Sequence, residues 1–508
     1  MTLFGTIGAH VWRGAAALLL MIAILAPAHA EGAADKGGVA TPYPVVTHHA
    51  SKFGGRKIFY TATIGEMPLF DDKRQPAGRI VSISYVATNA GRDRPVLFVF
   101  NGGPGSSSVW LHMGLVGPRR AAFTNDIQPE TAAPFALADN PDSLLDVADV
   151  VLFDPPGTGF SRADGAERKR YFSLKGDADL TVAFIQDWLR RNKRWNAPKY
   201  LMGESYGSIR AAAVARALAG TEAGRMEAVT LNGVILLGQV LDFMNGGSGD
   251  DRAPLTGLST MAATAAYHKR TTYSVQDAYA AATRFARDDY VQALFEGDRL
   301  SPERRRAIAT RLSDLTGLGV DFILEHNLRV TPLMFMSELL RGEGKQIGFY
   351  DGRYVLPLAA NGGDSVSDDP AMAQYVPGYV AALNDYLSSE LKAPNTERYI
   401  PIDFDINSKW DWGQGSGVGP SGNYADALAT AMRRNPALRL FVAAGLYDLA
   451  TPPGAAEYVL AHSGIPAEAT SLHHYESGHM PYMGPSRALI ARDLRAFIRA
   501  SSGTARQP

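Results

Sequence analysis

The stretch KYLMGESYGSIRAAAVARAL, residues 199–218, places a serine between two glycines where an apolar run gives way to an alanine-rich run. The apolar run predicts a buried strand and the alanine-rich run predicts a helix. The turn between them must be tight enough to lift the Ser205 hydroxyl above the sheet edge, so glycine fits on either side. The first N–H groups of the helix would point to the place where an oxyanion forms. We interpret Ser205 as a candidate nucleophile; the alternative is an ordinary strand-to-helix turn with a capping serine.

The rest of the chain predicts a mostly parallel sheet covered by helices. Short runs that are apolar throughout are typical of strands buried on both faces. Between them lies an amphipathic helical pattern with Leu180, Phe184 and Trp188 at every fourth position. Strands that alternate with helices predict the α/β class, and a serine turn in that setting predicts the α/β-hydrolase fold. The predicted strands are PVLFVF (95–100), ADVVLFD (148–154), VTLNGVILLG (229–238), LRLFVAAGLYD (438–448) and TSLHHYESGH (470–479).

The first 30 residues have the pattern of a secretory signal. Arg13 precedes an apolar run that ends in the small-residue triplet Ala28-His29-Ala30. A membrane anchor is the alternative, but the run is shorter than the roughly 20 apolar residues that a span needs. We therefore expect cleavage after residue 30 and export of the mature chain, with no stable membrane insertion.

The remaining chain is predicted to form a leader, a core and an insertion. Residues 31–50 begin polar and rich in Gly and Ala, and predict a flexible leader. Residues 51–244 and 424–503 predict the hydrolase core, which opens with an antiparallel hairpin. Residues 245–423 lack the alternation of strands and helices, carry helix-start signals at Ser274 and Ser301, and predict a helical cap insertion.

Composition excludes several function classes. The chain has 508 residues, with 50 Lys and Arg against 51 Asp and Glu, so nucleic acid and anionic membranes are not expected partners. It has no cysteine, which excludes disulfides, thiolate metal sites and cysteine nucleophiles. An exported protein without disulfides fits a bacterial periplasm better than a disulfide-rich secreted scaffold.

A serine hydroxyl needs a base, and the base needs an acid that orients it. In the predicted fold these follow the serine in the order acid, then histidine. Asp448 and His479 each lie at the carboxyl end of a predicted strand segment, where parallel sheets place their sites. The alternatives are two histidines inside a predicted strand and two aspartates in the insertion: His473, His474, Asp403 and Asp405.

The glycine-rich segment VFNGGPGSSS, residues 99–108, supplies a loop directly after an early strand. Such a loop can provide the second backbone N–H that an oxyanion hole requires. A phosphate-binding loop is the alternative, but neither the Lys-Ser/Thr pair nor the spacing of that motif is present.

Three motifs occur together and in order: NGGPGSSS, DPPGTGFS (154–161) and GESYG. In these motifs the chain resembles the serine carboxypeptidase family, peptidase family S10. The resemblance implies that Ser205 attacks a scissile carbonyl, His479 acts as base and then acid, and Asp448 orients it. It further implies that the N–H groups of Gly103 and Tyr206 hold the oxyanion, and that no metal or cofactor takes part.

The resemblance also implies a site for the terminal carboxylate of a peptide, formed by Asn101, Gly102 and Glu204. Two carboxylates in contact cannot both stay charged, so Glu204 would act as a protonated donor. Its ionisation would then weaken peptide binding as pH rises. The alternative is a structural acid hydrogen-bonded under the serine turn.

Two positions depart from the family pattern. Ser106 stands where many members have cysteine, and Leu115 stands where familiar members carry a second glutamate. The missing acid leaves room for an esterase or acyltransferase on the same triad. Four further side chains could line an apolar subsite, or simply pack in the core: Trp410, Trp412, Met480 and Tyr482.

The sequence thus predicts an exported serine carboxypeptidase that acts on peptides with a free C-terminal carboxylate. The alternatives are an esterase or acyltransferase, and a non-catalytic binding protein on a hydrolase scaffold, although no predicted triad member is missing.

Overall fold

The computed structural model describes residues 43–220, 228–243, 250–359, 368–394, 396–413 and 422–503. The predicted signal, residues 1–30, and most of the predicted leader lie outside these residues. In the described residues, no helix is both long enough and apolar enough to cross a bilayer.

A single large sheet forms the centre of the fold. Its strand order is β1-β2-β3-β7-β4-β9-β10-β13-β14, with β8 paired to β3, and neighbours from β7 to β14 are parallel. Two small antiparallel pairs, β5-β6 and β11-β12, lie apart from it. The strands are β1 (Val45–Phe53), β2 (Arg56–Phe70), β3 (Pro76–Ala87), β4 (Val96–Phe100), β5 (Arg119–Ala122), β6 (Ala136–Asp139), β7 (Asp149–Phe153), β8 (Arg162–Ala163), β9 (Lys199–Glu204), β10 (Gly233–Leu237), β11 (Lys345–Ile347), β12 (Val355–Pro357), β13 (Arg439–Gly445) and β14 (Thr470–Tyr475).

Helices cover this sheet and fill the insertion. The α-helices are α1 (Val109–Leu111), α2 (Gly165–Tyr171), α3 (Leu174–Arg191), α4 (Tyr206–Leu218), α5 (Arg252–Tyr267), α6 (Val275–Phe285), α7 (Val291–Glu296), α8 (Pro302–Thr316), α9 (Val320–Glu325), α10 (Pro332–Glu338), α11 (Pro370–Ser389), α12 (Phe404–Ser408), α13 (Ala425–Arg434), α14 (Pro453–His462) and α15 (Ser486–Ser501). Short 3₁₀ or π turns occur at Leu144–Asp146, Gly297–Arg299, Arg341–Glu343, Ala467–Ala469, His112–Val116 and Ala286–Tyr290.

The apolar runs become the central strands for the expected reason. Every residue of β4, β7 and β10 is buried, because helices cover both faces of the parallel part of the sheet. The α/β-hydrolase fold class is confirmed. One apolar cluster lies on each face: α3 and α4 pack on one side and α11 and α15 on the other.

The boundary predicted for the leader is wrong at its C-terminal end. Val45–Phe53 forms β1, which pairs in antiparallel register with β2 from Val45 opposite Ile64 to Phe53 opposite Arg56. This strand alternates between partly buried and exposed side chains. Its alternation follows a polar, Gly- and Ala-rich stretch, which is why residues 45–50 read as leader in the sequence.

The insertion between β10 and β13 is mainly helical in its described residues. Helices α6 and α8 begin where the sequence predicts. The hydroxyls of Ser274 and Ser301 cap them by accepting hydrogen bonds from the backbone N–H groups of Asp277 and Arg304. Helix α5 packs on α14, and α11 packs on the β5-β6 pair. Because of these contacts, the insertion and the core belong to one compact unit, residues 42–508.

Candidate active site

Ser205 occupies a strained turn between β9 and α4. Its φ of 58° and ψ of −127° lie in a region that L-residues rarely adopt. A Cβ atom on Gly203 would lie 2.0 Å from the Gly207 carbonyl oxygen, and one on Gly207 would lie 3.0 Å from the Phe100 carbonyl oxygen. Glycine is therefore required at position 203, whereas at position 207 a Cβ atom would be a tight contact with the backbone. The turn leaves the Ser205 side chain partly exposed, where a substrate can reach it.

Asp448 and His479 lie together at the carboxyl end of the sheet. The Asp448 Oδ2 atom accepts a hydrogen bond from His479 Nδ1 at 2.9 Å, and both side chains are buried. The loops that carry them are in close contact, since a Cβ atom on Gly445 would lie 2.0 Å from the Gly478 carbonyl oxygen. The structure thus joins two residues that are 31 positions apart in the sequence.

Ser205 and His479 line the same cavity, of about 70 Å³. In the described part of the chain, the Ser205 hydroxyl makes no side-chain hydrogen bond, so the serine–histidine bond of a working triad is not formed in this state. Such bonds are often long in ligand-free enzymes and tighten when substrate binds. Because Nδ1 of His479 is engaged by Asp448, its Nε2 is the nitrogen left for the serine.

The surroundings of His479 favour its protonated form. Burial lowers the pKa of the imidazole, but the charge and the hydrogen bond of Asp448 outweigh burial and leave that pKa above its ordinary value of 6.5. The carboxyl groups of Glu204 and Asp369 act in the same direction. Because a general base must be neutral, activity that depends on His479 is lost as pH falls through this raised pKa.

The glycine-rich loop after β4 approaches the serine turn as the sequence predicts. A Cβ atom on Gly102 would lie 2.6 Å from the Tyr206 backbone nitrogen, so only glycine fits there. The N–H groups of Gly103 and Tyr206 donate to no carbonyl among the loop and turn hydrogen bonds of the described residues. Two adjacent free donors beside Ser205 are what an oxyanion hole requires.

Arg210 and Asp177 hold this loop in place, and neither was predicted from the sequence. The Arg210 guanidinium, fully buried on α4, donates from Nη1 to the Asn101 carbonyl oxygen at 2.8 Å and from Nε to Asp177 at 2.7 Å. The same Asp177 oxygen accepts the Tyr206 hydroxyl at 2.8 Å. This buried network ties the glycine-rich loop to the helix that follows Ser205, and nothing local in the sequence marks it.

The insertion also contacts the loop. The Asn407 side chain donates from Nδ2 to the Gly103 carbonyl oxygen at 3.0 Å, and Ile402 pairs with Ser106. Chain segments some 300 residues apart meet here, so a single sequence gives no signal for the contact.

Glu204 lines the cavity beside Ser205, and the buried Asn101 lies behind it. Asn101 Nδ2 donates to Glu204 Oε1 at 2.7 Å, and the Asn101 side-chain oxygen accepts the Leu111 N–H at 3.1 Å. Burial raises the pKa of Glu204 to about 7, although His479, Tyr482 and Asn101 each oppose that rise. A carboxyl group with this pKa is protonated at mildly acidic pH and can then donate a hydrogen bond.

Tyr482, rather than a second acid, lies beside Glu204. Its buried hydroxyl is close enough to the Glu204 carboxyl group for each to shift the other's pKa. Leu115, at the position of the family's second glutamate, is fully buried in the apolar cluster on that face of the sheet. The Tyr482 ring also packs against Gly114, where a Cβ atom would lie 2.5 Å from it.

The remaining candidate residues from the sequence are those of the apolar subsite and the alternative triad residues. Trp410 is buried, and its ring packs edge-on against Tyr206 with 5.2 Å between the ring centres, so Trp410 belongs to the core. The Trp412 ring also packs edge-on against Tyr206, with 5.5 Å between the ring centres. Met480 lines the cavity with Ser205. The four alternative triad residues lie elsewhere: His473 and His474 in β14, Asp403 at the N-cap of α12 and Asp405 paired with Lys409.

The chain resembles known proteins most clearly around the serine. A family model described as serine carboxypeptidase, Peptidase S10, matches residues 83–252. This match includes the glycine-rich loop and Ser205, and it ends before Asp448 and His479. The Arabidopsis thaliana protein serine carboxypeptidase-like 36 is 30% identical over 135 residues, which are 26% of this chain and 26% of that protein.

A solved structure extends the fold comparison to most of the chain. The crystal structure of Kex1Δp, a prohormone-processing carboxypeptidase from Saccharomyces cerevisiae, superposes with a TM-score of 0.53 at 15% identity. The superposition covers 87% of this chain and 91% of that one. At this identity the likeness shows the fold and nothing further. The family match and the plant relative support a serine carboxypeptidase assignment around Ser205, and the superposition extends the α/β-hydrolase fold to most of the chain.

Proposed function

We propose that this protein is a serine carboxypeptidase that releases C-terminal residues from peptides through an acyl-enzyme. The observation that carries the proposal is the buried Glu204, bonded to Asn101 and directly adjacent to Ser205 in the cavity. A carboxyl group with a pKa of about 7 next to a nucleophile is suited to receive the terminal carboxylate of a peptide. The family model that matches residues 83–252 and the name of the plant relative point in the same direction.

The residues present supply each step of such a reaction. The peptide carboxylate would accept hydrogen bonds from protonated Glu204 and from Asn101, which sets the last peptide bond over Ser205. His479 would take the serine proton through Nε2 as Oγ attacks the carbonyl carbon. The carbonyl oxygen, now negatively charged, would lie between the N–H groups of Gly103 and Tyr206.

The tetrahedral intermediate would then collapse to the acyl-enzyme. His479 would give its proton to the leaving amine, so that the C-terminal residue departs as a free amino acid. Water, activated by the same imidazole, would hydrolyse the ester and restore Ser205. Asp448 stabilises the imidazolium in both half-reactions through its hydrogen bond to Nδ1.

The two raised pKa values limit the working range from opposite sides. Protonation of His479 removes the base as pH falls, whereas ionisation of Glu204 repels the substrate carboxylate as pH rises through about 7. The first effect lowers kcat/KM for every acyl substrate. The second raises KM only for substrates with a free carboxylate.

The direct test compares a blocked dipeptide with its C-terminal amide and ester. We expect the free acid to be cleaved with the lower KM at pH 5 to 6, and the advantage to fade above pH 7. A preference for the amide or ester throughout this range would contradict the exopeptidase proposal.

An esterase or acyltransferase on the same residues is the second candidate. The observation that favours it is Leu115, which leaves Tyr482 in place of a second acid beside Glu204. An esterase would hydrolyse the ester with little use of the free acid, and an acyltransferase would transfer the acyl group to an added alcohol faster than to water. A non-catalytic scaffold would fail to react with a fluorophosphonate, which labels only an activated serine.

We also propose that the protein is exported by a bacterium, on the evidence of the signal pattern in residues 1–30 and the absence of cysteine. N-terminal sequencing of the protein from periplasmic and culture fractions tests this. A mature chain that begins at Glu31 supports the proposal, and an intact Met1 in the cytoplasmic fraction contradicts it.

A further inference from the structure

A third side chain joins Asp448 and His479. The Thr451 hydroxyl oxygen makes a short hydrogen bond to Asp448 Oδ2 and lies 3.1 Å from His479 Nδ1. The Thr451 backbone N–H donates to the other carboxylate oxygen, Oδ1, at 2.8 Å, and the Ala450 N–H does so at 3.0 Å. Thr451 is buried, in the loop that precedes α14.

The positions of the protons follow from the donors and acceptors available. An ionised Asp448 can only accept, so the hydroxyl proton of Thr451 points to Oδ2. The free lone pair of that hydroxyl then faces His479 Nδ1, which must carry a proton to be compatible with both neighbours. A neutral His479 is therefore held in the form with the proton on Nδ1 and the lone pair on Nε2.

We propose that Thr451 is a positioning residue of the Asp448–His479 pair, donating to the carboxylate and accepting from Nδ1–H so that Nε2 stays available to Ser205. Without the hydroxyl, Oδ2 would be held only by the imidazole that it is meant to orient. The inference rests on the proposed function only in taking Ser205 as the nucleophile.

Valine in place of threonine keeps the shape and removes the hydroxyl. The imidazole would lose one of its two contacts at Nδ1, so its orientation toward Ser205 would be less well defined. The Asp448 carboxylate would also lose the hydrogen bond that Thr451 donates to Oδ2, which leaves more of its negative charge to stabilise the imidazolium. We therefore expect Thr451→Val to raise the pKa of His479 as well as to slow the reaction.

Other groups that act on His479 remain in this variant. Glu204 faces it from the end of β9, Asp369 acts on it from the N-cap of α11, and the Tyr350 ring lies 5.1 Å from the imidazole ring. Because these groups are unchanged, a shift in the pH profile reports on Thr451 and Asp448.

The test measures the second-order rate of Ser205 labelling by a fluorophosphonate from pH 5 to 9 in the full chain. We expect Thr451→Val to label about tenfold more slowly than wild type at the plateau, with its midpoint moved to higher pH. Thr451→Ser, which restores a hydroxyl at the same position, should recover most of the rate and the wild-type midpoint. If Thr451→Val does not fold, Thr451→Ala takes its place with the same expectations.

The matched control is Thr260→Val, since the buried Thr260 hydroxyl has no hydrogen-bond partner in the described part of the chain. It should label like wild type. Wild-type rate and midpoint in Thr451→Val, or a loss in Thr451→Ser as large as in Thr451→Val, would overturn the proposal. Labelling needs no peptide, so an enzyme that labels but releases no C-terminal residue refutes the proposed specificity and leaves this test valid.

Discussion

The two halves of the candidate site are built differently. On the serine side, Gly102 and Gly203 let backbone segments approach so closely that a Cβ atom would collide with a main-chain atom. On the base side, Asp448, Thr451 and His479 are held by side-chain hydrogen bonds between two loops. The first kind of site tolerates no side chain, and the second depends on particular side-chain atoms.

This difference explains where the resemblance to known proteins is found. The family match, residues 83–252, covers the serine side and stops well before the base side. Backbone contacts that only glycine permits leave a short, recognisable motif in a sequence. A network of hydrogen bonds between loops leaves isolated residues, which must be found by their position after strands.

The largest expected effect comes from removing the nucleophile, which both halves serve. Ser205→Ala should lower kcat by roughly 10⁶-fold. Its melting temperature should stay within a few degrees of wild type, because one partly exposed hydroxyl contributes little packing. Turnover of a blocked dipeptide and thermal unfolding measure the two quantities, and retention of most activity would remove Ser205 from the mechanism.

The next effect separates the orienting acid from its alternatives. Asp448→Asn should lower kcat by roughly 10⁴-fold, because an amide can present its NH₂ group to Nδ1 and favour the wrong tautomer. Asp405→Asn is the matched control, since Asp405 is a surface acid paired with Lys409. Equal activity in the two variants would show that the base needs no carboxylate at position 448.

The serine side is tested by adding one carbon atom. Gly102→Ala would place a Cβ atom 2.6 Å from the Tyr206 nitrogen and force apart the two donors of the oxyanion hole. We expect kcat to fall by about 10²- to 10³-fold. Gly342→Ala, where a Cβ atom meets nothing within 4 Å, should be indistinguishable from wild type. A fully active Gly102→Ala would mean that the donors lie elsewhere.

The smallest effect concerns the substrate carboxylate. In wild type, KM for a blocked dipeptide should rise about tenfold per pH unit above the Glu204 pKa of about 7, as that group ionises. Glu204→Gln cannot ionise, so its KM should stay flat over the same range. The ester of the same dipeptide, which has no free carboxylate, serves as the control substrate. If KM depends on pH in the same way in wild type and in Glu204→Gln, then Glu204 has only a structural role.

The sequence predicted the parts of the molecule that depend on local pattern. Apolar runs predicted β4, β7 and β10, and the hydroxyls of Ser274 and Ser301 marked the helix starts that the structure has. The predicted leader extends too far because the alternating strand β1 follows a polar stretch that is rich in Gly and Ala.

Contacts between distant segments were beyond prediction from the sequence. Arg210 lies on a predicted helix, but its burial against Asp177 and Asn101 depends on how that helix packs. Asn407 reaches the site from a segment whose path is set by the whole fold, and nothing in its local sequence marks it. Tyr482 was predicted only as a residue of an apolar subsite or the core, and its place beside Glu204 was not predicted.

One contact of the insertion bears on how this enzyme can be altered. The backbone N–H of His479 donates to the Tyr350 carbonyl oxygen at 2.6 Å. The backbone N–H of Leu449, next to Asp448, donates to the Phe349 carbonyl oxygen at 3.1 Å. A chimera that exchanges residues 245–423 for those of a relative would therefore disturb His479 and Leu449 unless its backbone presents carbonyl oxygens at the same two places. An insertion taken from a relative to change the specificity should therefore leave residues 349 and 350 of this chain in place.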